Sequence, residues 1–135
     1  AGMNVISGGG LVGIVTEVGK NWAKVRSIID DSSNVSAMTI TNFDTCIVSG
    51  DLTLSDEGYL AFSRMSTENE VLPGERLVTS NISDKYLEGI LIGTIASISE
   101  DSNNLTKNGY VIPFVDFRNL QEVLVILETK QQAED

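Results

Sequence analysis

At 135 residues and 41% hydrophobic content, the chain can build one ordinary domain or two very small ones around a real core, which argues against wholesale disorder. Its net charge of −10, with only nine Lys and Arg residues scattered singly along it, argues against nucleic acid and makes an anionic membrane surface a poor partner. The absence of histidine removes Ser-His-Asp and Cys-His catalysis and the commonest zinc ligand, and a single cysteine removes both an intrachain disulfide and a Cys-rich metal site.

The chain opens on strand-like Met3-Asn4-Val5-Ile6, an abrupt start that suggests a piece of something longer. Next comes Gly8-Gly9-Gly10-Leu11-Val12-Gly13, which fits the G-x-G-x-x-G spacing of a dinucleotide-binding loop. That chemistry needs the glycines to open a helix, whose free N–H groups hold the phosphates. Ile14-Val15-Thr16-Glu17-Val18 follows instead, a β-branched run suited to a sheet. Leu91-Ile92-Gly93-Thr94-Ile95 repeats the pattern of Leu11-Val12-Gly13-Ile14-Val15 without a glycine cluster before it. The shared element is therefore a strand with a glycine near its start, where a bulge or close backbone approach belongs. The triple glycine is the turn leading into the first copy.

Period-two patterning dominates the rest. Strands are expected at 11–18, 22–29, 35–41, 46–49, 76–79, 90–98, 109–115 and 123–127, separated by turn chemistry at Gly19-Lys20-Asn21, 30–34, Pro73-Gly74 and 101–104. Leu52-Thr53-Leu54 and 59–65 read as a hairpin around Ser55-Asp56-Glu57-Gly58. Cys46, in Thr45-Cys46-Ile47-Val48, reads as a small buried hydrophobe. Short helical turns fit 82–88 and 116–121, where Asp116 would cap. Val123–Leu127 is apolar on both faces and predicts a central strand buried on both sides. The tail, 130–135, is polar and reads as frayed. Short strands at this spacing predict an all-β fold of small barrels or a sandwich, with no helix longer than about two turns.

No stretch supplies an active-site constellation. Ser80 lacks a G-x-S-x-G elbow and has only Lys85 as a conceivable base, so a hydroxyl satisfying a turn is the simpler reading. Asp30-Asp31 and Glu100-Asp101 sit beside Ser and Asn in turn-like segments and fit no calcium loop. Three Asn-x-Ser/Thr triplets, at 34, 81 and 104, have no secretory context to support them. A core without catalytic chemistry points to a binding or assembly module with no cofactor and no metal. Gly10, Gly13, Gly74, Gly89 and Gly93 are expected to be structural turn or strand positions.

Several stretches together resemble the rod-shape-determining protein MreC family. Gly10-Leu11-Val12-Gly13-Ile14-Val15 is similar to its G-L-V/I-G-x-V segment. Gly74-Glu75-Arg76-Leu77-Val78-Thr79-Ser80, followed by Gly89-Ile90-Leu91-Ile92-Gly93, resembles its G-D/E-x-V-V-T-S-G…P-x-G-I-x-I-G block. Residues 113–125 resemble its closing P-x-x-D-F-x-x-L-x-x-V-x-V. Asn81 stands where the family has glycine, and Leu87-Glu88-Gly89 where it has Phe-Pro-x-Gly, so Asn81, Tyr86 and Leu87 mark a candidate partner surface that differs from the family's.

The resemblance implies an all-β fold of two small β-barrels, the membrane-distal one inserted in an anchor-proximal one that is incomplete here. Residues 11–85 would form the distal barrel, and 1–10 with 86–129 the remaining proximal strands. It implies a non-enzymatic scaffold on the extracytoplasmic face of a bacterial membrane, reached through an anchor outside this chain. The partners implied are MreD, MreB and class B penicillin-binding transpeptidases, in the service of cell shape and peptidoglycan synthesis. Self-association is expected through the sheet edges an incomplete barrel leaves open. A small-ligand-binding barrel, and a hydrolase related in shape to chymotrypsin-like proteases, are the competing readings.

Overall fold

The computed structural model describes residues 2–66, 71–83, 85–100, 105–117 and 123–126. Their strands are β1 (Asn4–Ser7), β2 (Gly10–Val18), β3 (Ala23–Ser27), β4 (Asn34–Thr39), β5 (Thr45–Ser49), β6 (Leu60–Ser66), β7 (Arg76–Thr79), β8 (Leu91–Glu100), β9 (Thr106–Pro113) and β10 (Leu124–Val125), with a single five-residue helix, α1 (Leu52–Asp56). The expected all-β fold is observed. Strands β4, β5, β6, β9, β8 and β7 pair in that order and close on themselves through β7–β4, making a six-stranded barrel. The order β10-β1-β2-β3 forms an open antiparallel sheet beside it. The two meet at one parallel bridge, Gly10↔Leu91.

A closed barrel is thus inserted between β3 and β10 of an open sheet. The pairing places its limits differently from the sequence reading. Strand 10–18 belongs to the open sheet, and strands 91–100 and 106–113 belong to the closed barrel. A division at residue 85 would separate β7 from β8, which pair at Arg76↔Thr94, Leu77↔Gly93 and Val78↔Leu91. The repeated glycine strands therefore sit one in each body.

Those strands are the centre of a larger repeat. In the open sheet Val5 pairs with Gly13, the register then shifts, and Ile6 pairs with Leu11. In the barrel Leu77 pairs with Gly93, the register shifts, and Val78 pairs with Leu91. On the other side Gly13↔Ser27, Ile14↔Arg26 and Val15↔Val25 precede a bulge at Glu17↔Lys24. Gly93↔Pro113, Thr94↔Ile112 and Ile95↔Val111 precede the same bulge at Ser97↔Tyr110. The fourth strand matches too: β10 meets Val5 and Ile6 as β4 meets Leu77 and Val78. Sheet β10-β1-β2-β3 therefore repeats β4-β7-β8-β9 strand for strand, without counterparts to β5 and β6 among the described residues.

The barrel interior is filled. Leu60, Phe62, Met65, Leu77, Ile92, Ile95, Val111, Val35 and Val48 are all at most 1% exposed. A smaller cluster of Val5, Val12, Val15 and Val115 backs the open sheet, and Phe117 packs against both cores. Cys46 lies in the barrel core as expected.

Two expectations are corrected. Leu52-Thr53-Leu54 is the start of α1, not a strand, because the Asp51 carboxylate accepts from the N–H groups of Thr53 (2.9 Å) and Leu54 (3.2 Å) and caps a helical turn. Residues 123–126 form an edge rather than a centre. Among the described residues β10 pairs only with β1, and Val123, Leu124 and Val125 are 47%, 65% and 41% exposed. Residue 127, most of the 116–121 turn and the 130–135 tail lie outside the described residues.

Candidate functional site

A concavity of about 430 Å³ opens where the barrel meets the segment leading to the open sheet. Two pieces of chain build it. The turn after α1, Asp56-Glu57-Gly58-Tyr59, supplies one wall, with Gly58 in the left-handed region (φ +88°) so that the chain reverses into β6. The run from Ile112 to Phe117, leaving β9, supplies the other, and Ile29 closes the floor. This run is seated against Gly10, where a side chain would press on Phe114 and Val115. Gly10 is thus structural through packing. The lining is apolar in Ile29, Tyr59, Ile112, Phe114 and Phe117, and acidic in Asp56, Glu57 and Asp116. Among the described residues none of the lining side chains is basic. Among the described residues no cluster of His, Cys, Asp and Glu is gathered to hold a metal ion.

The predicted partner residues lie elsewhere, on the 80–90 connection between β7 and β8. Of the three, Asn81 is exposed, Leu87 is half-buried and Tyr86 is 3% exposed in the barrel core, where burial pushes its hydroxyl pKa up. Tyr86 therefore anchors the loop and presents no side chain to a partner. The reason is local. Ser83 Oγ accepts from the N–H groups of Lys85 (3.2 Å) and Tyr86 (3.0 Å), curling the chain inward. Asn4, fully buried on β1, then pins the loop from the other body. Its Oδ1 accepts from Leu87 N–H (2.8 Å) and its Nδ2 donates to Lys85 C=O (3.1 Å). Thr79 adds a third clasp, donating to Leu87 C=O and accepting from Ile90 N–H.

Ile82, 66% exposed at the loop tip, is the surface residue the sequence reading missed. An aliphatic side chain between Asn81 and Ser83, in a turn, is the signal that marks it. Ser80 is fully buried, and its Oγ accepts from Ile82 N–H (3.1 Å), so this hydroxyl closes a turn.

The remaining glycines fall into two groups. Gly74 and Gly89 occupy left-handed turns, with φ +100° and +87°. Gly13 and Gly93 lie in mid-strand, where a Cβ would collide with the carbonyl oxygens of Arg26 and Ile112 respectively. The same collision at both repeats explains why both strands carry glycine there.

A filled six-stranded barrel set into a half-open copy of itself defines an all-β double-barrel module whose accessible features are edges, loops and a shallow groove. A family model described as rod shape-determining protein MreC, barrel core, matches residues 1–127. The chain belongs to the MreC family. The cell shape-determining protein MreC of Listeria monocytogenes is 30% identical over 143 residues, covering 98% of this chain and 44% of the relative. The solved structure of Listeria MreC superposes with a TM-score of 0.85 at 27% identity, over 99% of this chain and 65% of that one. A structure described as a complex between penicillin-binding protein PBP2 and MreC from Helicobacter pylori matches with a TM-score of 0.71 over 90% of this chain and 74% of that one, at 18% identity, a likeness of fold alone. The chain spans less than half the length of the curated relatives it matches.

Proposed function

We propose that this chain is the non-enzymatic barrel core of an extracytoplasmic scaffold for bacterial cell elongation, organising peptidoglycan synthesis through protein–protein contacts. The observation that carries the reading is the match to the MreC barrel core over residues 1–127. A class B penicillin-binding transpeptidase is the first partner to test, a choice supported by the fold's likeness to the MreC in complex with PBP2. MreD and MreB belong to the same proposal by family, as does a single-pass anchor outside this chain.

The barrel gives no support to the small-ligand reading, because its interior is lined by closely buried apolar side chains. The buried, turn-closing Ser80 gives none to the hydrolase reading.

Self-association is part of the proposal. The strand-for-strand repeat supports reading the open sheet as an unclosed barrel whose edges, among the described residues, are β3 and β10, where backbone groups offer a template for added strands. Exposed Val25 on β3 and Val123, Leu124 and Val125 around β10 put apolar side chains at both edges.

Capture of the extracytoplasmic domain of a class B transpeptidase by the immobilised chain tests the scaffold reading. Specific retention, competed by free chain, is the expected result. No retention under conditions where the chain is folded would refute the transpeptidase assignment.

A further inference from the structure

We propose that the groove between the α1–β6 turn and residues 112–117 is a docking site for an extended segment of a protein partner that carries Lys or Arg flanked by aliphatic side chains. The inference rests on the scaffold reading and assigns a surface to it.

The groove's volume, about 430 Å³, falls within the range of small-molecule pockets, but its walls do not enclose. Ile112 and Phe114 are 49% and 52% exposed, so a small ligand would remain largely in water. A cleft walled by half-exposed apolar side chains suits side chains projecting from a segment whose backbone stays outside. Such a segment covers Ile112, Phe114 and Tyr59 with aliphatic groups and gains the free energy of burying that surface.

Charge selects among such segments. Asp56, Glu57 and Asp116 sit around the groove, no basic side chain lines it among the described residues, and the whole chain carries −10. An acidic segment would be repelled. A Lys or Arg laid along the groove would bury its methylenes on the apolar lining while its charged end reached the carboxylates. The aromatic rings of Tyr59 and Phe114 add a face on which a guanidinium can stack. The groove sits on rigid supports, because Phe114 and Val115 are pressed against Gly10 and Val115 is buried in the small core. It is thus ready to bind without rearrangement, which lowers the cost of association.

Shift mapping by NMR on the uniformly ¹⁵N-labelled chain tests this, with the capped peptide acetyl-LRLKL-amide as ligand and acetyl-LELDL-amide as its charge-reversed control. The expected result is saturable shifts confined to residues 56–59 and 112–117 for the basic peptide alone, weakening as salt is raised because the rim charges are exposed. The variant Glu57→Gln should weaken binding about twofold with the fold intact, since its side chain is exposed. Ile112→Ser should weaken it by about tenfold through lost apolar contact. Equal binding of the acidic peptide, shifts on 23–27 and 124–125 instead, or no saturable shift would each overturn the proposal. Loss of peptide binding with transpeptidase capture retained would overturn the groove alone, whereas loss of capture would strike the scaffold reading itself.

Discussion

Gly13 and Gly93 show how one side chain's absence sets strand geometry. Each faces a carbonyl oxygen of the neighbouring strand across a gap that no Cβ fits, and each is followed by the same bulge. Gly13→Val should cost about 2 kcal/mol through forced backbone displacement and lower the melting temperature by roughly 6 °C; Gly93→Val should do the same. An unchanged melting temperature in either would refute the claim. Both glycines were legible because the sequence displays the pattern twice, once without the glycine cluster that imitates a nucleotide loop.

Cys46 was legible too, as an apolar residue among apolar neighbours. Burial pushes its thiol up to about 12 from an ordinary value of 9.0. A pKa raised on folding means a stabilisation fully present below pH 9 and lost progressively as pH rises toward 12. The native protein should therefore not react with Ellman's reagent at pH 8, and should react with one equivalent once unfolded in urea. Tyr86 was misread because a turn-rich stretch reads as surface. Its burial depends on Ser83 and on Asn4, more than 80 positions away, and a one-dimensional pattern does not carry such a contact.

At the scale of elements, β1 and the 80–90 loop act as one unit through the buried Asn4 amide. Asn4→Leu should destabilise the protein by about 1–3 kcal/mol, because the half-buried N–H of Leu87 and the C=O of Lys85 would lose their partner, the buried Asn4 amide. Hydrogen exchange at Leu87 should accelerate in the variant; unchanged exchange there would show that the loop is held by Thr79 alone. Most strands were legible from period two, since half-buried strands alternate by necessity. Helix α1 was not, because Leu52-Thr53-Leu54 alternates like a strand and the deciding contacts are two carboxylates, Asp31 accepting from Leu52 N–H and Asp51 from Thr53 and Leu54 N–H. β10 was misplaced for a different reason. An unbroken apolar run indicates contact on both faces, yet only the sheet order determines whether the strand is central or at an edge, and among the described residues it pairs on one side only.

For the whole molecule, the sequence revealed two related halves but not where they divide. The repeated glycine motif names β2 and β8, whereas the division depends on which strands each pairs with, and β8 pairs with β7 and β9 to help close the barrel. The groove was likewise invisible, since its lining comes from residues 29, 56–59 and 112–117, far apart in the chain.

One four-strand unit is used twice, closed into a barrel once and left with open edges once among the described residues, and the proposed role has those edges meet other chains. Charge and edges pull in opposite directions here. Each chain carries −10, which opposes contact at low salt, while the edges at β3 and β10 favour it. Association through the edges should strengthen as salt screens the repulsion, opposite to the salt response expected of a basic segment in the acidic groove. Sedimentation velocity at low and at moderate salt measures this most directly. The expected result is a defined dimer or small oligomer, its proportion rising with salt. A strict monomer in both conditions at about 100 μM, where repulsion is screened within roughly 10 Å at 0.1 M salt, would contradict the account.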